Sequence, residues 1–179
     1  MPHPDHYPVL ETERCILRMP EESDLHPIFK LRTDKDVNKY IDRPMPEHPD
    51  QALDFIKMIR EGILAGKWFY WIISLKKNAD LTGIICLYNF SEDKKTAETG
   101  YELLPEFQGK GIMKEAILTV IDFALKKTGV ENIHAYSHKD NLQSKSLLRK
   151  TGFNEESEKT NPEDPDLIAY TLSKDNWNK

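Results

Sequence analysis

The segment that most restricts the fold of this chain runs from Thr96 to Ser137. It begins as a strand, Thr96 to Leu104, which Pro105 ends because proline cannot donate to a sheet ladder. Gln108-Gly109-Lys110-Gly111 follows, and from Gly111 the pattern turns helical, with Ile112, Ala116, Val120 and Ala124 on one face. Gly129 stands just past the helix end and a second strand, Asn132 to Ser137, follows at once. A strand-helix-strand crossover of this kind gives a parallel strand pair with a helix packed on the sheet.

The rest of the chain supplies the sheet around that pair. Arg14 to Met19 alternates as a first strand, and Ser23 is placed to cap a helix carrying Leu25, Ile28, Phe29 and Leu31. A short helical piece follows at Asp36 to Tyr40, then a proline-rich loop through Pro44, Pro46 and Pro49. Asp50 is placed to cap a helix with the stripe Leu53, Ile56, Ile59 and Ile63, ending at Gly66. Trp68–Leu75 and Leu81–Phe90 are β-branched and aromatic runs joined by a polar turn, and the loop 91–95 leads into the crossover. Beyond it come a short helix from about Gln143 to Lys150, then Gly152-Phe153, a charged loop, and a last strand from Leu167 to Leu172. The expected fold is α/β: a mixed, mostly antiparallel sheet with flanking helices, in one domain spanning residues 1–179.

Chemistry enters at the turn. Backbone N–H groups at a helix start, approached through glycines without a Cβ, suit a phosphate, and the helix dipole together with Lys110 and Lys114 adds favourable charge. The spacing excludes a P-loop, which needs Gly-x-x-x-x-Gly-Lys-Ser/Thr, and a dinucleotide fingerprint, whose third glycine position is Lys114.

The segment resembles motif A of the GNAT N-acetyltransferases, Arg/Gln-x-x-Gly-x-Gly/Ala, with Gln108 and Gly111 in place and Met113 where the pattern has Gly or Ala. Met113 followed by Glu115-Ala116, the stretch Ala97 to Pro105, Asn141-x-x-Ser144 and Gly152-Phe153 are similar to the subgroup of ribosomal-protein N-acetyltransferases. The resemblance runs in order along nearly the whole chain. It implies a splayed parallel strand pair whose gap takes the pantetheine arm of acetyl-CoA as co-substrate. Leu103 and Leu104 would then offer backbone groups to the arm. The amides of Gly109, Lys110, Gly111, Ile112 and Met113, after Gln108, would hold the pyrophosphate. Asn141, Ser144 and Lys145 would flank the arm and the nucleotide end, with helix capping the plain alternative for Asn141.

The activity implied is acetyl transfer to a primary amine, on a protein N-terminus, a polyamine or a small molecule; the alternative is a module that binds acyl-CoA without catalysis. The amine must be neutral to attack, the leaving thiolate benefits from a donor, and the tetrahedral intermediate needs a hydrogen bond at its oxyanion. The family's tyrosine acid would fall on Leu148, so Ser144, one turn earlier, is the expected hydroxyl in its place, with a plain helix serine the alternative. Glu102 is the expected base; Glu98 on the same strand face, and the pair Glu163 and Asp164, stand behind it, and Tyr101 and Tyr136 remain as donors.

Cys15 and Cys86 lie in apolar runs and read as buried thiols rather than nucleophiles or a disulfide. His134 and His138 share a strand face without a third ligand, and His3 and His6 lie in the N-terminal tail, so no metal is expected. A net charge of -5 and the lack of a basic patch argue against nucleic acid and lean toward a cationic acceptor. No signal peptide and no apolar run of membrane-spanning length is read, which leads to a cytoplasmic expectation. A homodimer is compatible with the sequence and not required by it.

Overall fold

A computed structural model describes residues 7–77, 79–161 and 164–177. Its strands are β1 (Leu10–Glu11), β2 (Cys15–Arg18), β3 (Phe69–Leu75), β4 (Leu81–Tyr88), β5 (Thr96–Leu103), β6 (Asn132–His138), β7 (Asn154–Asn161) and β8 (Asp164–Ser173). The helices are α1 (Leu25–Thr33), α2 (Pro49–Leu64), α3 (Ile112–Phe123) and α4 (Leu142–Lys150). Among the described residues the strands are ordered β1-β2-β3-β4-β5-β6-β8-β7, mostly antiparallel, with β5 and β6 the parallel pair. This is the mixed α/β sheet with flanking helices that the crossover requires.

The chain forms two compact units. One takes the residues up to Cys86 and Tyr101–Ala116; the other takes Leu87–Gly100 and the residues from Ile117 on. In the first, β2 pairs with β3 from Cys15↔Leu75 to Arg18↔Ile72. Trp71, Ile72 and Ile73 of β3 are fully buried, as are Ile28 and Leu31 of α1 and Ile56 of α2. A continuous apolar run on β3 is what a strand covered on both faces requires.

Two helix starts differ from expectation. Ser23 does not cap α1: the Asp24 carboxylate accepts from the Glu21 N–H at 2.8 Å and from Arg18 at 2.7 and 2.8 Å, which tightens Glu22–Asp24 into a 3₁₀ turn. Asp50 lies inside α2, whose first residue is Pro49 and whose cap is His48, with Gln51 Oε1 accepting the His48 N–H at 3.1 Å.

In the second unit β5 pairs with β6 at Thr96↔Asn132, Ala97↔Ile133 and Glu98↔His134, where the parallel register ends. On its other side β6 pairs with β8 along its whole length. The expected charged loop after Phe153 is strand β7, antiparallel to β8 with a register shift between Glu156 and Thr160. It closes the sheet as an edge strand, where charged side chains are tolerated and protect against mispairing.

Candidate functional site

The turn after β5 is built from local hydrogen bonds. Leu104 N–H donates to Thr82 O at 2.9 Å, Phe107 N–H to Leu104 O at 2.9 Å, and Gln108 N–H to Pro105 O at 3.1 Å. Gln108 then turns its side chain back, its Nε2 donating to Leu103 O at 2.8 Å, so the first motif residue holds the end of the strand. Gly109 and Gly111 adopt left-handed backbone at φ 71° and 78°, a conformation that costs an L-residue roughly 1–2 kcal/mol. A Cβ at Gly109 would meet nothing within 4 Å. Glu115 N–H donates to Gly111 O at 3.2 Å, so Gly111 closes the first turn of α3. The amides of Ile112 and Met113 belong to that first turn and have no carbonyl within their own helix.

The charge at this helix start is balanced locally. Glu115 accepts from Arg14 Nε at 2.6 Å and from Thr12 Oγ1 at 2.9 Å. Burial pushes its carboxyl up, but the bonds from Arg14 and Thr12 outweigh that and hold it below its ordinary value. Its negative charge therefore has a partner, while Lys110 and Lys114 are exposed. Met113, the departure from the motif, turns its side chain inward to 6% exposure. The bulk that a Gly or Ala would lack is thus kept off the surface where a phosphate would approach.

Leu103 and Leu104 meet this turn with part of their backbone already in use: the Leu104 N–H belongs to Thr82, and both carbonyls accept one bond each. What the Leu104 site offers outward is a carbonyl lone pair rather than its N–H. β5 reaches this point against Gly83 of β4, where a Cβ would lie 2.2 Å from Glu102 O and 3.0 Å from Leu103 Cα. Only glycine permits that approach.

Glu102, the expected base, is held by Arg43. Its two oxygens accept from Nη1 at 2.5 Å and Nη2 at 2.7 Å, the side chains being 11% and 15% exposed, and Arg43 Nε donates to Asn38 Oδ1 at 2.8 Å. The fold presents the Glu102 carboxylate with both oxygens engaged by Arg43. Arg43 escaped the sequence reading because its partner lies 59 residues away and nothing local marks it.

Most of the other candidates lie in the second unit, with Tyr101, Cys15 and Cys86 in the first. Asn141 caps α4, its Oδ1 accepting the Ser144 N–H at 3.0 Å, so the capping role is realised. Ser144 is half-buried on the first turn, and Lys145 Nζ donates to Lys139 O at 3.3 Å. Leu148 is fully buried, so the position that carries tyrosine in many family members points into the core here. Glu98 lies opposite His134, whose Nδ1 is 3.0 Å from Thr171 Oγ1. Tyr136 is 38% exposed on β6, and Tyr101 half-buried on β5. Asp164 Oδ1 accepts from Asp166 N–H; Glu163, His3 and His6 lie outside the described residues. Cys15 is buried and its thiol pushed up by desolvation, whereas Cys86 is only half-buried. Among the described residues no group of three His, Cys, Asp or Glu is placed to hold a metal ion, and no helix is long and apolar enough to cross a membrane.

Known proteins resemble this chain in sequence and in fold. The family model described as an acetyltransferase (GNAT) domain matches residues 14–154. The uncharacterized N-acetyltransferase YoaA of Bacillus subtilis (strain 168) is 30% identical over 150 residues, 84% of this chain and 85% of that protein. The uncharacterized N-acetyltransferase p20 of Bacillus licheniformis is 29% identical over 147 residues, 82% and 83% of the two chains. In fold, the chain is similar to a GNAT-family acetyltransferase from Bacillus anthracis, with TM-score 0.80, 21% identity, and 94% and 99% of the chains covered. It is also similar to a ribosomal-protein-S5-alanine acetyltransferase from Vibrio fischeri, with TM-score 0.79, 23% identity, and 96% and 100% covered.

Proposed function

The chain belongs to the GNAT acetyltransferase family, and from that premise we propose that it transfers acetyl from acetyl-CoA directly onto a primary amine. The observation that carries the reading is the pair of left-handed glycines between β5 and α3, which turns a strand end into a helix start with first-turn amides on offer. The residues present suit a pyrophosphate: open space beside Gly109, first-turn amides at Ile112 and Met113, and lysines at 110 and 114. Acetyl-CoA supplies an activated acyl carbon and a thiolate leaving group.

The chain's own residues bind, orient and move protons. The amides from Gly109 to Met113 hold the pyrophosphate, with Gln108 fixing the strand end beside them. Leu103 and Leu104 supply backbone to the arm. By the family resemblance Asn141, Ser144 and Lys145 serve the same cofactor, Asn141 through the amide nitrogen that capping leaves over. As the amine nitrogen bonds the acyl carbon and the C–S bond breaks, the amine's proton would pass to water, and the Ser144 hydroxyl would hydrogen-bond the departing sulfur while water delivers the thiol proton. A buried, desolvated Cys15 fits transfer without an acetyl-enzyme. Residues 14–154 contain parts of both compact units, so we treat the whole chain as one acetyltransferase domain, acting in the cytoplasm.

The test is calorimetric binding of acetyl-CoA to Gly109→Ala. With open space around the added Cβ, the variant should fold, yet its methyl group and backbone preference both oppose the phosphate-holding turn. Affinity should fall at least about tenfold, one lost charged hydrogen bond's worth. Unchanged affinity in a folded variant contradicts the reading.

A further inference from the structure

Within the first unit two side chains have hydrogen-bonding capacity that the fold does not use. Arg32 of α1 is half-buried with its guanidinium 3.9 Å from the centroid of the Phe55 ring. Among the described residues no oxygen accepts a hydrogen bond from that guanidinium, although its planar fork carries five donors. The carboxylate that acts on it is Glu102, and both oxygens of Glu102 are already taken by Arg43. Two guanidinium groups therefore share one carboxylate in a partly desolvated setting, leaving one positive charge in excess. Desolvation first, and the nearby Arg43 second, make the charged form of Arg32 harder to keep than usual.

The second side chain is Tyr70 of β3. Its hydroxyl is buried and has no hydrogen-bond partner among the described residues. It lies close enough to Glu102, Arg32 and Arg43 for all three charges to act on it, and its ring meets Phe55 edge-on at 5.9 Å. An orphaned buried hydroxyl costs about 1–3 kcal/mol, so a fold that keeps one beside an unsatisfied arginine holds donors in reserve. Both donors point to the same missing partner, an anionic oxygen. A cationic amine alone would meet net repulsion from the arginine pair.

We propose that Arg32 and Tyr70 form an acceptor subsite for an anionic group, so that the amine acetylated by this protein also carries a carboxylate or a phosphate. Arg32 leaves the Phe55 face to take the anion through its fork, Tyr70 donates its hydroxyl, and Arg43 stays locked by Glu102 as the fixed wall of the charge. Glu102 directly precedes Leu103, so the subsite adjoins the strand end assigned above to the arm of acetyl-CoA. This inference rests on the acetyltransferase reading and reverses the lean toward a cationic acceptor taken from net charge. Overall charge describes the surface, whereas the acceptor meets the local excess.

The experiment compares matched acceptors by thiol release: β-alanine against β-alaninamide for carboxylate, phosphoethanolamine against ethanolamine for phosphate. The parent protein should favour the anionic member of one pair by about ten- to a hundredfold in kcat/KM, the range of charged hydrogen bonds. Which pair responds identifies the anion. In Arg32→Gln that ratio should collapse toward one, chiefly through KM. Tyr70→Phe should lower the ratio while leaving the free protein as stable as the parent or more so, because it removes an unsatisfied hydroxyl. Acetyl-CoA affinity, measured by calorimetry on each variant, separates the two levels of the account: loss of binding in the parent overturns the acetyltransferase reading itself. Retained binding with equal or better use of the neutral amines, with no turnover of either pair, or with a ratio unmoved in Arg32→Gln, overturns the anionic subsite.

Discussion

Arg43 and Glu102 are joined by two hydrogen bonds at 2.5 and 2.7 Å in a setting that water reaches poorly. Removing one charge from such a pair leaves the other buried without compensation, which is the expensive way to break it. Glu102→Gln should therefore lose up to about 3 kcal/mol in urea denaturation, below the full cost of a broken buried pair because the amide still accepts one bond. Its kcat should fall by less than about a hundredfold, since both oxygens of the carboxylate are engaged by Arg43; a larger loss in a folded variant that still binds acetyl-CoA would make Glu102 the base. Leu148 gives a second residue-scale expectation. Restoring the family's tyrosine by Leu148→Tyr should not raise the rate, because the site is fully buried and a larger polar ring overpacks it, at about 1–3 kcal/mol. A stable variant with faster turnover would put this face of α4 beside the departing thiol.

At the scale of elements, β5 and its turn were legible because their signals are local. Pro105 stops a strand, Gly109 and Gly111 supply left-handed backbone, and the apolar period of Ile112, Ala116, Val120 and Ala124 starts a helix at once; all four side chains are buried as expected. Asn141 was legible as a cap for the same reason. Strand β7 was not, since its run Asn154 to Asn161 is charged and its place at the edge is set by β8, not by its own pattern. The grouping of Arg43, Arg32 and Tyr70 near Glu102 was equally hidden, because these residues come from elements remote in sequence and no local pattern announces a grouping made by the tertiary fold. Gly83 shows how an element constraint tests this. Gly83→Ala would drive a methyl into Glu102 O and the Leu103 backbone, so β4 and β5 must separate where the arm is to be met. Lower thermal stability and weaker acetyl-CoA binding should appear together; a loss of stability with affinity intact would detach that strand end from the cofactor.

Over the whole molecule, several carboxyls are held below their ordinary values by specific partners. Glu115 is lowered by Arg14 and Thr12 against the opposing effect of burial, Asp122 by Lys126, Glu155 by Arg149 and Tyr170, and Asp166 by Lys139. A carboxyl whose folded value is depressed stabilises the protein above its unfolded value and loses that contribution as pH falls through the folded one. Stability should thus decline from about pH 5 downward, more gently at high salt where the exposed pairs are screened. A urea midpoint that stays level between about pH 5 and 3 would contradict this. The central claim concerns transfer itself, and amine-dependent release of the thiol from acetyl-CoA tests it most directly, with the acetylated amine identified by mass. The account predicts thiol release that requires the amine, one acetyl on the amine for each thiol, and none on Cys15 or Cys86. Tight binding of acetyl-CoA with no amine-dependent release from carboxylate-bearing, phosphate-bearing, peptide and polyamine acceptors would contradict it, and would leave a protein that binds acyl-CoA without turning it over.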